Sequence, residues 1–342
     1  MDVAGYIGGS VLASLLKHPL SDTFRLTILV RDAAKASQFR MMGIHTVVGS
    51  HSDLQLLEDT AADADLADAD DEGAAKAILR GLKRRFEKTG KVPSLIHTHE
   101  FIVSVQGVLV DDAQGMKATD VIYSDLNIEQ MESIPITQPH RSVDLAIVDA
   151  DKEGYVRTYI VLPSTIYGIA TGPLVDAGLQ NAHSQQIPQL VELSLDRGQA
   201  GMVGLGKNIW PNVHIHDVVD LYVVLIDSIV PHRSDTHSHP HRAITPHPDL
   251  AHGPSGFYFG ENGEHTLYDV GLAIGKVMVS LGKSKDANPT PFTEEETKKY
   301  FPNGTMMGTN SRCRADRGRE LGWKPKKTTK DMLASIKAEF KH

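Results

Sequence analysis

The chain has a single cysteine, Cys313, among 342 residues. An internal disulfide is thereby excluded, and a reducing, cytoplasmic setting is the expectation. Cys313 stands between Arg312 and Arg314, whose charges would depress a thiol pKa, yet no partner for a reactive thiol is recognisable beside it. An excess of cations is also missing. The 35 Lys and Arg are outnumbered by 43 Asp and Glu, for a formal net charge of −8. That balance argues against nucleic acid as a partner and carries no membrane-surface signal. No apolar run comes near the roughly 20 residues of a bilayer span, and the polar start lacks the basic segment of a secretory leader. Internal repeats are absent too. What is left is an ordinary globular composition, 41% hydrophobic and 23% charged. The length allows one large α/β domain with a smaller lobe, or two modest domains.

A further shortage is positional. Gly5-Tyr6-Ile7-Gly8-Gly9 reads as the second half of a glycine-rich turn opening a helix, but only four residues precede it. Asp2 stands where an earlier glycine is expected. The buried strand that leads into such a turn in a dinucleotide-binding βαβ unit is therefore expected to be missing. The helix shows through Val11, Leu12, Leu15 and Leu16, and His18-Pro19 ends it. Apolar, β-branched runs then predict strands over 26–30, 46–49, 94–98, 158–162 and 257–260. Helices are predicted over about 33–42, from 54 onward with Asp53 as cap, and over 74–89, 143–153, 218–230 and 267–281. This alternation implies a mostly parallel sheet.

Some stretches resist the pattern. From Ala61 to Ala75 the chain is acidic and alanine-rich, and no strand is legible where a doubly wound sheet wants one, because Ala and Asp are poor strand formers. Phe101 to Leu109 is a second apolar, β-branched stretch directly behind strand 94–98. Residues 111–139 read as loop with one short helical piece, and the tail from Thr309 to Phe340 as basic and helix-prone. Residues 231–255 are rich in His, Pro and Ser, with His232, His237, His239, His241, His247 and His252. The His-x-His-x-His spacing from His237 suits zinc or nickel. The prolines and the lack of carboxylate or Cys partners point instead to a surface insert, so no metal site is expected.

Five segments carry a family signal: Gly5-Tyr6-Ile7-Gly8-Gly9, Leu29-Val30-Arg31-Asp32, Leu162-Pro163-Ser164-Thr165-Ile166-Tyr167-Gly168, Val213-His214-Ile215-His216-Asp217-Val218 and Arg319-Glu320-Leu321-Gly322-Trp323-Lys324-Pro325. Their order and spacing over nearly the whole chain resemble the extended and atypical short-chain dehydrogenase/reductase superfamily, in its NAD(P)-dependent epimerase/dehydratase-like branch, which includes the NmrA-like proteins. The resemblance implies an α/β, Rossmann-like doubly wound parallel sheet over 1–168, its first strand missing, and a smaller C-terminal substrate lobe over 169–342. It also implies a small-molecule substrate, with a homo-oligomer compatible with the sequence.

By the same resemblance, Gly5, Tyr6, Ile7 and Gly8 hold the cofactor pyrophosphate, since glycines admit the backbone and the helix N-terminus presents free N–H groups. Arg31 follows the second strand, where an Arg fits a 2′-phosphate and an acid fits the 2′-hydroxyl. The cofactor expectation is thus NADP, with NAD as the alternative given Asp32 beside it; a solvent-exposed loop Arg is the plain alternative. Pro163 and Ser164 lie under the nicotinamide, and Thr165 or Tyr167 faces substrate, or the segment is a structural turn with a core Tyr. His214 and Asp217 pack the lobe onto the core, with Asp217 suited to an N-cap.

The family's Tyr-x-x-x-Lys, in which Lys lowers the Tyr pKa for proton transfer, is absent. His140 and Asp144 fill its two slots, and Tyr123 heads a segment without Lys. Thr98, Tyr123 and His140 are the remaining proton-handling candidates; His140 also reads as a helix-capping residue. Two functions follow. One is an oxidoreductase or epimerase acting on a small carbonyl, hydroxyl or sugar-nucleotide-like substrate. The other is a catalytically silent NADP-binding regulator of the NmrA-like kind, or an isoform defective in both.

Overall fold

A computed structural model describes residues 3–69, 72–98, 109–230, 250–302 and 304–341. The apolar stretch behind strand 94–98, up to residue 108, lies outside the described residues. So do Asp2 and the histidines of the insert other than His252. That residue pairs its Nδ1 with the Asp151 carboxylate at 2.9 Å. Among the described residues no cluster of His, Cys, Asp or Glu has the makings of a metal site. No helix there is long and apolar enough to cross a membrane.

The first half alternates helix and strand. It runs α1 (Tyr6–Leu15), β1 (Thr27–Val30), α2 (Ala33–Met41), β2 (His45–Val48), α3 (Leu54–Ala61), β3 (Leu66–Ala69), α4 (Glu72–Thr89) and β4 (Ser94–Thr98). A looser stretch holds β5 (Tyr123–Ser124) and α5 (Ile128–Glu132), followed by α6 (Arg141–Lys152) and β6 (Arg157–Pro163). The second half holds β7 (Thr165–Tyr167), α7 (Pro173–Asp176), α8 (Gln186–Arg197), β8 (Gly201–Met202), β9 (Ile209–His214), α9 (Ile215–Ile229) and β10 (Phe257–Gly260). It closes with β11 (Glu264–Thr266), α10 (Leu267–Ser280), β12 (Thr290–Pro291), α11 (Glu294–Tyr300), β13 (Cys313–Arg314), α12 (Asp316–Glu320) and α13 (Thr329–Ser335).

The central sheet is parallel, in the order β10-β6-β4-β3, and β1 pairs with β2 in a separate parallel ribbon. Helix α4 packs with α6, and α1 with α9, giving two helical layers. The architecture is the expected Rossmann-like α/β sheet with a C-terminal lobe. A main core runs through β4, β6, β10 and α9. A second core joins α8, α10 and α13 with Tyr167. A third binds β1 and α2 to Leu12, Leu174 and Leu179. Helix α1 serves two of them, sending Tyr6, Ile7 and Val11 into the main core and Leu12 into the third.

Three local expectations change. A strand does form in the acidic stretch: β3 pairs in register with β4, Leu66 opposite Ser94 and Ala67 opposite Leu95. Ladder hydrogen bonds to a strong neighbouring strand and the packing of Leu66 and Ala67 on the core outweigh weak local propensity. Asp53 does occupy the N-cap position of α3, but its carboxylate turns back to accept from Ser50 N at 2.7 Å. His214, rather than Asp217, caps α9, its Nδ1 accepting from His216 N at 3.2 Å. Asp217 lies one turn in and receives the peptide N–H groups of Lys326 and Lys327, both at 2.9 Å.

Candidate active site

Helix α1 starts without a cap. Gly5 is extended (φ −76°, ψ 175°), no side chain accepts from the first turn, and no acid stands in it. The leading N–H groups and the positive end of the helix dipole therefore keep no side-chain anion of their own. Tyr6, Ile7 and Gly8 behind them are buried. Burial, followed by the charges of Glu339 and Tyr167, pushes the Tyr6 phenol up. It stays a neutral donor, and its hydroxyl donates to the Gly168 carbonyl.

That bond joins the glycine turn to the loop after β6. The segment beyond Gly168 holds the turn from the other side. Asn181 N donates to Ala4 O at 2.8 Å, and Gln180 Nε2 donates to Tyr6 O at 3.2 Å and to Ser10 Oγ at 2.7 Å. Gly168 has φ +96°, and a Cβ there would lie 2.5 Å from His214 Nε2. Both the left-handed backbone and the lack of space demand glycine at this corner.

The other residues of the β6–β7 loop are buried. Ser164 donates through N and Oγ to Gly260 O, at 2.8 and 2.7 Å. The Tyr167 hydroxyl donates to Thr328 O at 2.8 Å, and its ring meets His214 edge-on. Thr165 is fully buried, and its Oγ1 has no hydrogen-bond partner among the described residues.

The proton-handling candidates sit on separate elements. Thr98 ends β4, fully buried; its Oγ1 donates to Asp68 Oδ2 at 3.2 Å and shares a hydrogen bond with the Tyr222 hydroxyl of α9. Tyr123, half-buried on β5, pairs with Cys313 of β13; burial and then the charge of Asp111 raise its phenol pKa. His140 heads α6 in the left-handed region (φ 64°), makes no side-chain cap, and is pushed down by burial. One turn on, Asp144 is fully buried and its carboxyl is raised to about 8 by burial, against the lowering pull of Arg141. The Arg141 guanidinium lies 4.0 Å from it and donates to Met131 O at 2.8 Å.

Arg31 is exposed after β1. The neighbouring Asp32 carboxylate is engaged as the cap of α2, accepting from Ala34 and Lys35 N–H. Sequence reasoning missed Asp125. It is buried to 1% exposure and accepts from Phe259, Asp316 and Arg317 N–H, which ties the loop after β5 to β10 and to the start of α12. Its position directly after the Tyr123-Ser124 pair was the available signal.

No family model matches the chain. An oxidase of Acremonium sp, ucsJ, is 30% identical over 332 residues, covering 94% of this chain and 90% of that protein. An uncharacterized protein of Schizosaccharomyces pombe is 21% identical over 95% of this chain and 94% of its own. Among solved structures, the UDP-glucose 4-epimerase of Thermotoga maritima, with UDP-glucose, aligns at a TM-score of 0.62 and 12% identity over 99% of this chain and 96% of that one. A dTDP-glucose 4,6-dehydratase from Streptomyces venezuelae, with NAD bound, aligns at 0.60 and 15% identity over 100% and 95%. The oxidase relative, at 30% identity over 94% of this chain, shows that the chain belongs to one family with ucsJ, and the solved structures show that it has the fold of the sugar-nucleotide epimerases and dehydratases.

Proposed function

We propose that the chain is an NAD(P)-dependent oxidoreductase or epimerase acting on a small molecule that bears a carbonyl or hydroxyl group, with NADP preferred over NAD. The observation that supports this best is the bond from Tyr6 to Gly168, which sets the uncapped start of α1 against the loop at the carboxyl end of β6. Such a turn suits a diphosphate, because its leading N–H groups have no acceptor side chain. In this reading Gly5, Tyr6, Ile7 and Gly8 hold the diphosphate and exposed Arg31 holds the 2′-phosphate. Pro163 and Ser164 border the nicotinamide, and Thr165 and Tyr167 the substrate side. The bound cofactor supplies or accepts hydride. Residues 1–168 carry the cofactor half and 169–342 the substrate lobe, and a homo-oligomer fits the fold.

Proton transfer falls to Thr98, Tyr123 and His140. Of these His140 has the suitable chemistry near neutral pH, since burial lowers its pKa and so favours the neutral ring that accepts a proton. One observation favours the second reading, a silent cofactor-binding regulator: Asp144, which by the resemblance fills the slot of the activating lysine, is fully buried, and burial raises its carboxyl to about 8. Titrating the protein with NADPH and NADH by cofactor fluorescence tests the binding. NADPH is expected to bind more tightly, and Arg31→Ala to erase the difference. Turnover that collapses in a Tyr123→Phe/His140→Phe double variant supports the enzyme. Cofactor binding with no turnover in a screen of carbonyl and alcohol substrates leaves the regulator, and no binding of either nucleotide overturns both.

A further inference from the structure

A small cavity lies inside the C-terminal lobe, between α8, β9, β11 and α10. It measures about 10 Å³, roughly the room that one water molecule needs. Ile187, Leu190 and Val270 give it an apolar side, all three buried. A cavity lined by such residues alone stays dry. Here three polar side chains share the lining: Gln186 at the start of α8, Asn208 just before β9 and His265 on β11. Asn208 is fully buried, and its Nδ2 donates to Met307 O and Thr309 O, both at 2.8 Å. Two backbone carbonyls thus take up both amide protons, and Oδ1 is left as a buried acceptor with no donor among the described residues. Gln186 Oε1 is a second such acceptor. Buried polar atoms of this kind are rare and call for a partner.

His265 supplies the opposite role. Thr329 Oγ1 donates to Glu264 O, so it accepts from Asn212 Nδ2 at 2.9 Å, which fixes the Asn212 amide. The same Nδ2 lies 3.3 Å from His265 Nδ1. Nδ1 is therefore the acceptor, and the proton of the neutral ring sits on Nε2. Burial holds the imidazole neutral, pushing it down to about 4 against the raising pull of the Asp269 carboxylate. Two acceptors and one donor thus border a space of one-water size. A cation there would face the imidazole N–H, and an anion the two amide oxygens. A molecule that donates twice and accepts once suits all three.

We propose that the cavity is the site of one internal water, which donates to Asn208 Oδ1 and Gln186 Oε1 and accepts from His265 Nε2. About three hydrogen bonds are the usual complement of a buried water. The bridge joins the first turn of α8 to the β9–β11 pair and pins the ring tautomer of His265. That tautomer in turn presents Nδ1 to Asn212, the register partner of Thr165 at the head of β7. One strand pair thus separates the water's hydrogen-bonded network from the β6–β7 loop. The site belongs to the fold of the lobe, and an enzyme and a silent regulator hold it alike.

A crystal structure of the whole chain, at a resolution that shows ordered waters, tests the site directly. The expected result is one spherical peak within about 2.7–3.2 Å of all three atoms. In solution, NMR of protein carrying isotope-labelled histidine reports the same contact. The His265 signals, recognised by their loss in His265→Gln, should show a proton on Nε2 and none on Nδ1. The Nε2 proton should also give a cross-peak to water whose sign marks a residence longer than the tumbling time of the protein. Gln186→Met, at the partly exposed start of α8, removes one acceptor. That variant should keep a cooperative melt while the peak weakens or disappears, since the water falls to two partners. A site without a peak, a peak that fails to reach all three atoms, or His265 protonated on Nδ1 overturns the proposal. So does a peak unchanged in Gln186→Met.

Discussion

The Asp125 carboxylate accepts three peptide N–H groups at 2.9–3.0 Å, and the Arg317 guanidinium donates to its backbone carbonyl. Replacing it with Ala strands buried donors from β10 and α12 at once, so Asp125→Ala should cost roughly 3 kcal/mol or more in urea unfolding. A loss within error of a surface substitution would refute that accounting. Asp144 sets a pH dependence. Its folded pKa is raised to about 8 from 3.8. Below the unfolded value both states hold the proton; above it the folded state keeps a proton that the unfolded chain releases. Its contribution is fully present in acid and lost as pH rises toward 8. Asp144→Asn should flatten the decline in stability between pH 5 and pH 8, and equal slopes for the two proteins would remove the assignment. Neutral His265 acts in the opposite sense. Its folded pKa is lowered to about 4 from 6.5, so its contribution is whole above 6.5 and lost as pH falls through 4. The acid limb of a stability profile should therefore soften in His265→Gln.

Among elements, the α3–α4 pair depends on one missing methyl. A Cβ on Gly81 would fall 2.3 Å from the Glu58 carbonyl oxygen and 2.7 Å from Ala61 Cβ. In an open helix Gly→Ala gains up to about 1 kcal/mol. Here the steric cost, about 1–3 kcal/mol for overpacking, wins, and Gly81→Ala should lower Tm. A raised Tm would mean that the helices slide apart freely. The elements also show what local sequence can say. Strands β4, β6 and β10 were legible because each is an apolar or aromatic run long enough to mark a buried strand. Strand β3 was not, because Ala67 and Asp68 carry no strand signal and the element exists only through its pairing with β4. The β5–β13 pair was beyond reach as well. Two residues on each side, joined across about half the chain, leave no periodicity to read. At the site, the glycine turn and the Pro163–Gly168 loop were visible as motifs. The Tyr6–Gly168 bond and the partners of Thr98 and Asp125 depend on long-range packing that no window of sequence contains.

For the whole molecule, the division of the sheet matters. Strand β1 pairs with β2, and β3 with β4, so the ribbon and the central sheet share no ladder among the described residues. They are joined through helix α1, which places side chains in both cores. Amides of β1 and β2 should therefore exchange with deuterium faster than those of β4 and β6, by mass spectrometry of peptides. Uniform protection across all four strands would show that α1 couples them as tightly as a ladder does.

The last stretch of the chain closes what the first half begins. Strand β13 is the partner of β5, Trp323 fills the main core, and Met332 and Ile336 complete the second. A chain cut before β13 would lack all of these partners. Apolar surface on β6, α9 and α10 would then lose cover, so such a truncated variant is expected to aggregate where the whole chain does not, and a truncation that stays in solution with a cooperative melt would refute this.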